Sequence, residues 1–354
     1  MRIHSNFSGG NIRVRDIKGK DVYLENEMRG STGDWFYWAF CVEGAEGNEV
    51  TFHFQQNRLG YFGPAVSHDL KTWRWLGAGE SDRKFSYRFA GGETRVYFAH
   101  DMLYGVDRFY DFAERNGACV EELCRSKKGR SVPFLSFGRG KSLILTARHH
   151  ACESTGSYVL EGVLDSLLRK PIEGIKVFCV PFTDFDGVID GDQGKNRFPY
   201  DHNRDYEEST AAIYPEVAKI REYAVQNGAY LAFDFHSPWH KGGRNDYSFI
   251  VQKDEEKSAL YAEFGELIEK HLTDGAFRYT KEQNIAPFVE WNKPNTPTFA
   301  CFMSRLHDNL LAFTLETAYF GLEGNVVTVE GLVELGRCFA EAIRDFIERN
   351  ENLK

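Results

Sequence analysis

The sequence lacks long hydrophobic runs. No stretch of its 354 residues approaches the roughly 18 consecutive apolar positions that a membrane-spanning helix needs. The first residues, from Met1 to Asn6, also lack the apolar core of a secretory signal peptide. We therefore expect a cytoplasmic protein without a membrane partner.

Paired cysteines and an excess of basic charge are missing as well. The seven cysteines are scattered, and no Cys-x-x-Cys pair occurs, so neither a disulfide framework nor a thiolate metal cluster is indicated. The formal net charge is −9, whereas binding to nucleic acid requires a basic face. We therefore expect no nucleic-acid partner, and nothing in the composition indicates an oligomeric state.

Residues 1–100 have the pattern of an all-β domain. Aromatic residues make up 15% of the chain, and such side chains favour pleated, half-buried surfaces. Short apolar stretches, such as residues 35–42, 50–54 and 85–89, are separated here by turn-forming residues. Many short strands at close spacing predict an antiparallel β-sandwich.

The pattern changes after about residue 100. Apolar strands are predicted at residues 141–147, 175–182, 229–235 and 310–315. The helices predicted around them cover residues 106–116, 157–169, 210–227, 257–271 and 329–350. Continuous apolar strands that alternate with helices are typical of a mostly parallel sheet covered on both faces. We therefore predict an α/β chain, with a sandwich domain at residues 1–100 and a mixed, mostly parallel α/β/α domain at residues 101–354.

The first strand of this second domain is followed by a candidate metal-binding turn. In open α/β sheets, ligand sites form beyond the carboxyl ends of the strands, and His149, His150 and Glu153 follow residues 141–147. Imidazole and carboxylate groups are zinc ligands. The spacing to Glu153 suits either histidine. We favour His150 and expect His149 to point the other way. Without a metal, Glu153 is simply an acid in the first turn of a helix, and the histidines are surface residues.

Two further strand ends carry ionisable groups. His236 directly follows residues 229–235, and Glu316 directly follows residues 310–315. Together with His150 and Glu153, His236 completes a set of two histidines and one glutamate, which in catalytic zinc sites leaves a fourth position for water. A buried carboxylate is costly unless it is paired or functional, so Glu316 is a candidate general base. A structural salt bridge is the alternative for Glu316.

The polar segment at residues 183–206 is predicted to be a long functional loop. Its order of Asp and Gly residues does not match an EF-hand. Arginine side chains in this segment are suited to bind a substrate carboxylate through two parallel hydrogen bonds. Surface charge is the alternative for Arg197.

These residues resemble the motifs of the carboxypeptidase A-like zinc metallocarboxypeptidase family over residues 100–350. The match consists of His150-x-x-Glu153, Asn203-Arg204, His236-Ser237 and Glu316, in this order. The cytosolic carboxypeptidase branch looks nearest, because that branch has a β-sandwich before its catalytic domain. It also shares the strand ending Thr314-Leu315-Glu316 and the turn Asp186-Gly187.

The resemblance implies a zinc metallocarboxypeptidase that acts on the C-terminus of a peptide or protein. It implies a zinc carboxypeptidase domain at residues 101–354 with one Zn²⁺ ion. The roles that follow from it are Zn²⁺ ligands at His150, Glu153 and His236, a general base at Glu316, and Asn203 and Arg204 on the terminal carboxylate of the substrate.

The chain departs from the pattern of the branch at several positions. Ala151-Cys152 replaces the usual Pro-Gly between the first histidine and the glutamate. For the arginine that polarises the scissile carbonyl we select Arg197, which lies just upstream in the same loop. The mobile active-site tyrosine of the family has no counterpart near Trp291. A pocket for acidic side chains would draw on Arg305 and Lys293.

Two other functions are compatible with parts of the sequence. N-acyl amino acid deacylases similar to succinylglutamate desuccinylase and aspartoacylase share the zinc ligands and the glutamate base. The β-rich domain before the catalytic domain favours the peptidase over these. A non-enzymatic peptide- or glycan-binding protein would use the indoles of the first domain, Trp35, Trp38, Trp73 and Trp75. Such indoles are more often core residues, because they bury a large area.

Overall fold

A computed structural model describes residues 1–79 and 81–350 of the chain. The first hundred residues form two β-sheets that face each other. The described strands of this region are β1 (Arg2–His4), β2 (Arg13–Lys18), β3 (Asp21–Glu25), β4 (Ala39–Glu43), β5 (Glu49–Phe54), β6 (Ala65–Ser67), β7 (Arg74–Trp75), β8 (Lys84–Arg88) and β9 (Arg95–Ala99). One sheet has the order β1-β4-β9-β6-β7, and the other has the order β2-β3-β5-β8.

The sandwich is held together by aromatic side chains between its two sheets. Inward residues alternate with outward ones along β5 and β8, as expected for strands with one buried face. The core between the sheets includes Trp38, Phe40, Phe52, Phe85 and Phe98. The predicted antiparallel sandwich is confirmed, with the single parallel pair β3–β5 as an addition.

The second region is built on a seven-stranded mixed sheet. Its strands are β10 (Val120–Arg125), β11 (Ser131–Gly138), β12 (Lys141–Ala147), β13 (Ile175–Val180), β14 (Leu231–His236), β15 (Ser248–Gln252) and β16 (Leu311–Thr317). The spatial order is β10-β11-β13-β12-β14-β16-β15. The four central strands are parallel, β11 and β15 pair antiparallel with β13 and β16, and the edge strand β10 pairs antiparallel with β11. The predicted mostly parallel sheet is therefore confirmed.

Helices cover both faces of this sheet, as predicted for an α/β/α domain. They are α1 (Val106–Arg115), α2 (Ser154–Arg169), α3 (Phe185–Asp190), α4 (Pro215–Asn227), α5 (Ser258–His271), α6 (Phe299–Ser304) and α7 (Val329–Asn350). Side chains from α2, α5 and α7 join the core on one face. Side chains from α4 and α6 join a separate core on the other face. None of the helices in the described part of the chain combines the length and the apolar composition needed to cross a bilayer.

Two differences from the sequence prediction affect the region around the site. Helix α2 begins at Ser154, three residues earlier than predicted, so Glu153 is the residue immediately before the helix. Residues 183–206 are not a continuous loop, since they contain α3 and a 3-10 turn at His202–Arg204. Asp184 and Asp201 cap these two short helices by accepting hydrogen bonds from Gly187 N and Asn203 N.

Candidate metal centre and substrate cavity

The candidate site lies where β12, β14 and β16 end next to one another. These three strands are neighbours in the parallel part of the sheet, so their carboxyl ends meet at one edge. His236 is the last residue of β14 and pairs in register with Glu316 on β16. The turn that carries His150 and Glu153 follows β12. The sheet topology alone thus brings all four residues to the same edge.

The turn after β12 is shaped by Arg148. Its backbone has a φ of 58°, a left-handed conformation that an arginine rarely adopts. The buried guanidinium holds this turn, because Nε donates to the carbonyl of Ala151 at 2.9 Å and Nη1 donates to the carbonyl of Tyr104 at 3.0 Å. The chain therefore changes direction at the strand end, and the two histidines that follow have different surroundings.

His150, Glu153 and His236 bring their ligand atoms together. His150 Nδ1 lies 2.8 Å from Glu153 Oε1, and His236 Nδ1 lies 2.7 Å from Glu153 Oε2. All three ligand atoms lie within 4.8 Å of one another. Glu153 Oε2 is buried and makes no hydrogen bond within residues 1–79 and 81–350, despite its closeness to His236. Converging donor atoms of this kind suit a cation placed between them.

Each of these two histidines has a carboxylate near its other ring nitrogen. His236 Nε2 lies 2.5 Å from Asp234 Oδ2, and His150 Nε2 lies 3.7 Å from Asp201 Oδ1. Metal-binding histidines are commonly held in this way, since the carboxylate fixes the ring orientation and raises the basicity of the ligating nitrogen. Neither aspartate was predicted from the sequence to belong to the site. A signal was available for Asp234, because it is a charged residue inside an otherwise apolar strand.

His149 is turned away from Glu153, in agreement with its expected orientation. Its Nδ1 is 2.8 Å from Asp234 Oδ1, and its Nε2 is 2.8 Å from the hydroxyl of Tyr206. A second cluster, His149 with Asp234 and His236, also has metal-binding side chains within reach of one another. Both ring nitrogens of His149 are already engaged there, so His150 is the better candidate ligand.

The charges at the site are mutually dependent. Burial opposes ionisation of Glu153, but the neighbouring His150, Lys195 and His236 hold its pKa well below the ordinary value. Burial likewise opposes the charge of His236, yet Asp234 and Glu153 raise its pKa well above the ordinary value. The pKa of Glu316 is raised, chiefly by burial and further by the nearby Glu153 carboxylate. Glu316 is thus shifted in the direction expected for a proton acceptor that works near neutral pH.

These residues lie at the bottom of a cavity of about 340 Å³. Besides the metal-ligand set and Glu316, its walls include Asn203, Arg204, Thr314, Trp35, Trp239, Trp291, Lys195, Lys253 and Lys293. Arg204 is exposed and presents its side chain to the cavity. Trp35 belongs to the N-terminal sandwich region, so both parts of the chain contribute to the cavity.

Two arginines singled out in the sequence are not brought to the cavity. The guanidinium of Arg197 is 2.7 Å from Asp184 and 2.9 Å from Asp192, which fixes it behind the cavity wall. Arg305 lies 3.6 Å from Glu208 and lines a separate groove. Both carboxylates that pair with Arg197 lie within thirteen residues of it in the sequence. This local pairing keeps the guanidinium out of the cavity.

The cavity contains two lysines that the sequence analysis did not identify. Lys195 is buried, and its Nζ lies 2.5 Å from Glu153 Oε1. Lys253 lies just after β15 and donates to Asn292 Oδ1 at 2.8 Å. Burial lowers the pKa of Lys253 to about 8, and the nearby Arg204 contributes to this effect. The cavity therefore combines the candidate metal ligands with several basic groups.

The comparisons with known proteins give one match to the N-terminal region and several over longer parts of the chain. Residues 3–100 match the cytosolic carboxypeptidase N-terminal domain. The chain is 28% identical over 257 residues to an uncharacterized protein of Zymomonas mobilis, and the aligned segment covers 67% of each protein. It is 22% identical over 294 residues to human cytosolic carboxypeptidase 6, which covers 75% of this chain and 56% of the human protein. The chain thus spans about two thirds of the first relative and just over half of the second.

A solved structure extends the similarity to nearly the whole chain. A metallo-carboxypeptidase from Pseudomonas aeruginosa, in complex with (2-guanidinoethylmercapto)succinic acid, superposes with a TM-score of 0.81. The match covers 98% of this chain and 99% of the Pseudomonas chain at 21% identity. At that identity the match establishes the fold, while the sequence relatives and the N-terminal domain show similarity to cytosolic carboxypeptidases. The chain has the fold of metallocarboxypeptidases, and in sequence and in its N-terminal domain it is similar to cytosolic carboxypeptidases.

Proposed function

We propose that the protein is a zinc-dependent carboxypeptidase, which hydrolyses the last peptide bond of a peptide or protein. One observation carries the proposal: a single cavity combines the ligand atoms of His150, Glu153 and His236 with the carboxylate of Glu316 and the exposed Arg204. These are the groups needed to bind a metal, accept a proton and hold a terminal carboxylate.

The donor set fits zinc. Two imidazole nitrogens and one carboxylate are a common catalytic zinc set with an open position for water. The second ring nitrogens of the histidines face Asp201 and Asp234, as metal-binding histidines require. The buried Glu153 Oε2 has no hydrogen-bond donor in the described part of the chain, which leaves it available to a cation. When bound, the metal supplies Lewis acidity for the carbonyl and an acidified water.

Glu316 is proposed as the group that moves the proton. Its buried Oε2 makes no hydrogen bond within the described residues and therefore has a lone pair available for the attacking water. The carboxylate accepts the water proton during attack on the carbonyl carbon. It then passes this proton to the leaving amine nitrogen as the C–N bond breaks, so Glu316 is unchanged at the end of the cycle.

Lys195 is proposed as the cation that stabilises the negative charge on the carbonyl oxygen. Arg197 was the sequence-based candidate for this role, but its guanidinium is paired with Asp184 and Asp192 outside the cavity. Lys195 is in the cavity and next to the metal ligands. A fixed positive charge at a developing oxyanion acts strongly when water is excluded, and Lys195 is buried.

Arg204 and Asn203 are proposed to hold the terminal carboxylate of the substrate. Arg204 is exposed to the cavity, and a guanidinium can bind a carboxylate through two parallel hydrogen bonds. Asn203 is fixed because its Oδ1 accepts a hydrogen bond from Phe299 N at 3.0 Å. Requiring a free carboxylate at this point restricts cleavage to the last residue of the chain.

The side chain of the departing residue is proposed to be acidic. Lys253 and Lys293 both line the cavity, and Lys253 is held in place by its hydrogen bond to Asn292. Arg305, which was considered for this pocket, lies in a separate groove. Two ammonium groups in a partly desolvated cavity favour a carboxylate side chain over an apolar one.

The proposal is tested by combining metal analysis with a substrate panel. Purified protein should contain one equivalent of zinc and release the terminal residue from peptides that end in glutamate. Removal of the metal by a chelator should abolish this activity, and added Zn²⁺ should restore it. N-acetylglutamate and N-acetylaspartate serve as the comparison substrates. If these are hydrolysed faster than the peptides, the proposed peptidase activity is overturned in favour of a deacylase. Purified protein that is inactive and contains no zinc would favour a binding function.

A further inference from the structure

The N-terminal sandwich region is hydrogen-bonded to the loop that carries Lys195. Gln193 exchanges two hydrogen bonds with the backbone of Tyr37, at 3.0 Å to Tyr37 N and 2.8 Å to Tyr37 O. Thr32 N donates to the carbonyl of Asn196 at 3.1 Å. Residues 191–197, called here the lysine loop, are therefore held along one side by residues 26–37.

The other side of the lysine loop packs directly on the metal-ligand turn. Gly194 has a φ of +78°, and a Cβ at this position would lie 2.2 Å from Ala151 N. Cys152 N donates to the carbonyl of Gln193 at 3.3 Å. The loop is thus clamped between the sandwich region and the turn that carries Glu153. Its backbone position is fixed, and the ammonium of Lys195 is paired with Glu153 Oε1 at 2.5 Å and donates to the carbonyl of Ser237 at 3.5 Å.

Trp35 adds a further contact to this ammonium, from the sandwich region. Lys195 Nζ lies over the Trp35 indole, 5.1 Å from the ring centroid, which is a distance suited to a cation–π interaction. The indole is itself held, since Trp35 Nε1 donates to the carbonyl of Thr32 at 2.9 Å and the ring packs 5.1 Å from that of Trp239. Asn26 Nδ2 donates to the carbonyl of Trp35 at 2.9 Å. The sandwich region thus places a fixed aromatic face next to the ammonium of Lys195.

We propose that Trp35 is a positioning residue that keeps the Lys195 ammonium directed at the carbonyl oxygen of the scissile bond. The sandwich region is then a working part of the active site. This inference rests on the proposed carboxypeptidase function and on the role given there to Lys195. Without the indole face, the ammonium keeps its charge and its ion pair with Glu153 but loses the contact on the side of the sandwich. Its position relative to the substrate carbonyl then changes, so kcat falls while substrate binding is little affected.

The test compares Trp35→Leu, which keeps apolar bulk, with Trp35→Phe, which restores an aromatic face. With a peptide ending in glutamate, Trp35→Leu should lower kcat about tenfold and change KM less than about threefold, whereas Trp35→Phe should recover most of the kcat. Lys195→Met should lower kcat about a hundredfold. The double variant should be no slower than Lys195→Met alone, because the indole acts through the lysine. Tyr23→Ala is the matched control, since it removes a lysine–aromatic contact of 5.4 Å elsewhere in the sandwich.

A binding measurement provides a readout independent of turnover. A phosphinic peptide that ends in glutamate mimics the charge developed during attack, and calorimetry with the zinc-loaded protein gives its affinity. Trp35→Leu should weaken this probe about tenfold and leave the binding of N-acetylglutamate within about threefold. Additive losses in the double variant, or equal behaviour of the Leu and Phe variants, would overturn the positioning role. Wild-type protein that neither cleaves the peptide nor binds the probe would instead overturn the proposed function, and this inference with it.

Discussion

His236 and Glu316 lie directly opposite each other in the register of two adjacent parallel strands. One is a candidate metal ligand at the end of β14, and the other is the candidate base on β16. Neither residue depends on a loop for its position, so their relative placement is set by backbone hydrogen bonds of the sheet. A site built in this way is more precise than one carried by flexible segments.

Glu316→Gln is the most direct test of the base. The amide keeps the size of the side chain but cannot accept the proton, so kcat should fall by about a thousandfold or more while the bound metal is retained. Steady-state kinetics and metal analysis of the same preparation measure both quantities. Glu323→Gln is the control, because Glu323 is an exposed glutamate a short distance along the chain. A Glu316→Gln variant that keeps full activity would remove Glu316 from the mechanism.

Metal content distinguishes the two histidines that follow β12. His150→Ala and His236→Ala should each lower zinc occupancy from about one equivalent to near zero, because a catalytic site with three protein ligands does not tolerate the loss of one. His149→Gln should retain the metal, since His149 bonds to Asp234 and Tyr206. Elemental analysis after dialysis measures the occupancy. If the His149 variant loses zinc and the His150 variant keeps it, the metal binds at the second cluster, His149 with Asp234 and His236.

Two arginines allow a paired test of substrate binding. Arg204→Met should raise KM for a peptide at least tenfold, because it removes a charged hydrogen-bond donor from the cavity. Arg305→Met is the matched control and should leave KM within about twofold, since Arg305 faces a separate groove and a partner glutamate. Peptides with an amidated C-terminus should be poor substrates of the wild type. Equal effects of the two substitutions on KM would indicate that a group other than Arg204 binds the terminal carboxylate of the substrate.

The shifted pKa of Lys253 predicts a change of specificity with pH. Its pKa is lowered to about 8, so the ammonium is present below that pH and is lost as the pH rises through it. For a peptide ending in glutamate, kcat/KM should therefore fall above pH 8, by up to about tenfold per pH unit, since kcat/KM reports groups of the free enzyme. A peptide ending in leucine should not show this fall. The Lys253→Met variant should lack the difference between the two peptides.

Helices α2 and α7 approach so closely at Gly162 and Gly336 that a larger residue at either position is expected to destabilise the fold. A Cβ at Gly336 would lie 2.0 Å from the carbonyl oxygen of Val159, and one at Gly162 would lie 1.9 Å from that of Val333. Gly336→Ala should lower the free energy of unfolding by about 1–3 kcal/mol, because the backbones must separate. Gly91→Ala, where a Cβ meets nothing within 4 Å, should change it much less. Chemical denaturation of both variants gives the comparison.

The sequence predicted those parts of the fold that have a strong local pattern. The central strands β12, β13, β14 and β16 are continuous apolar runs, which are recognisable because both faces of the sheet are covered. The flanking strands β10, β11 and β15 were missed. β10 has a largely polar sequence, and β15 has five residues, so neither gives a periodic signal. Lys253 was missed together with β15, which it follows.

The candidate site was likewise predictable only where its residues follow strands with a strong local pattern. His150, Glu153, His236 and Glu316 were accessible because they follow predicted strands, and strands of one parallel sheet end at the same edge. Lys195 and Arg197 lie two residues apart in one loop, and no local pattern indicates which side chain enters the cavity. The answer depends on Asp184 and Asp192, which bind the arginine, and on the conformation at Gly194.

The hydrogen bonds between residues 26–37 and the lysine loop also bear on the order of folding. Trp35 and Lys195 are separated by 160 positions in the sequence, and Glu316 lies a further 121 positions along the chain. Contacts over such distances form slowly, because a long stretch of chain must be ordered before they can close. The sandwich can bury its own aromatic core early, whereas the cavity is completed only after β16 has joined the sheet. A partly folded chain would therefore present the turn of the candidate metal ligands before the other groups of the cavity are in place.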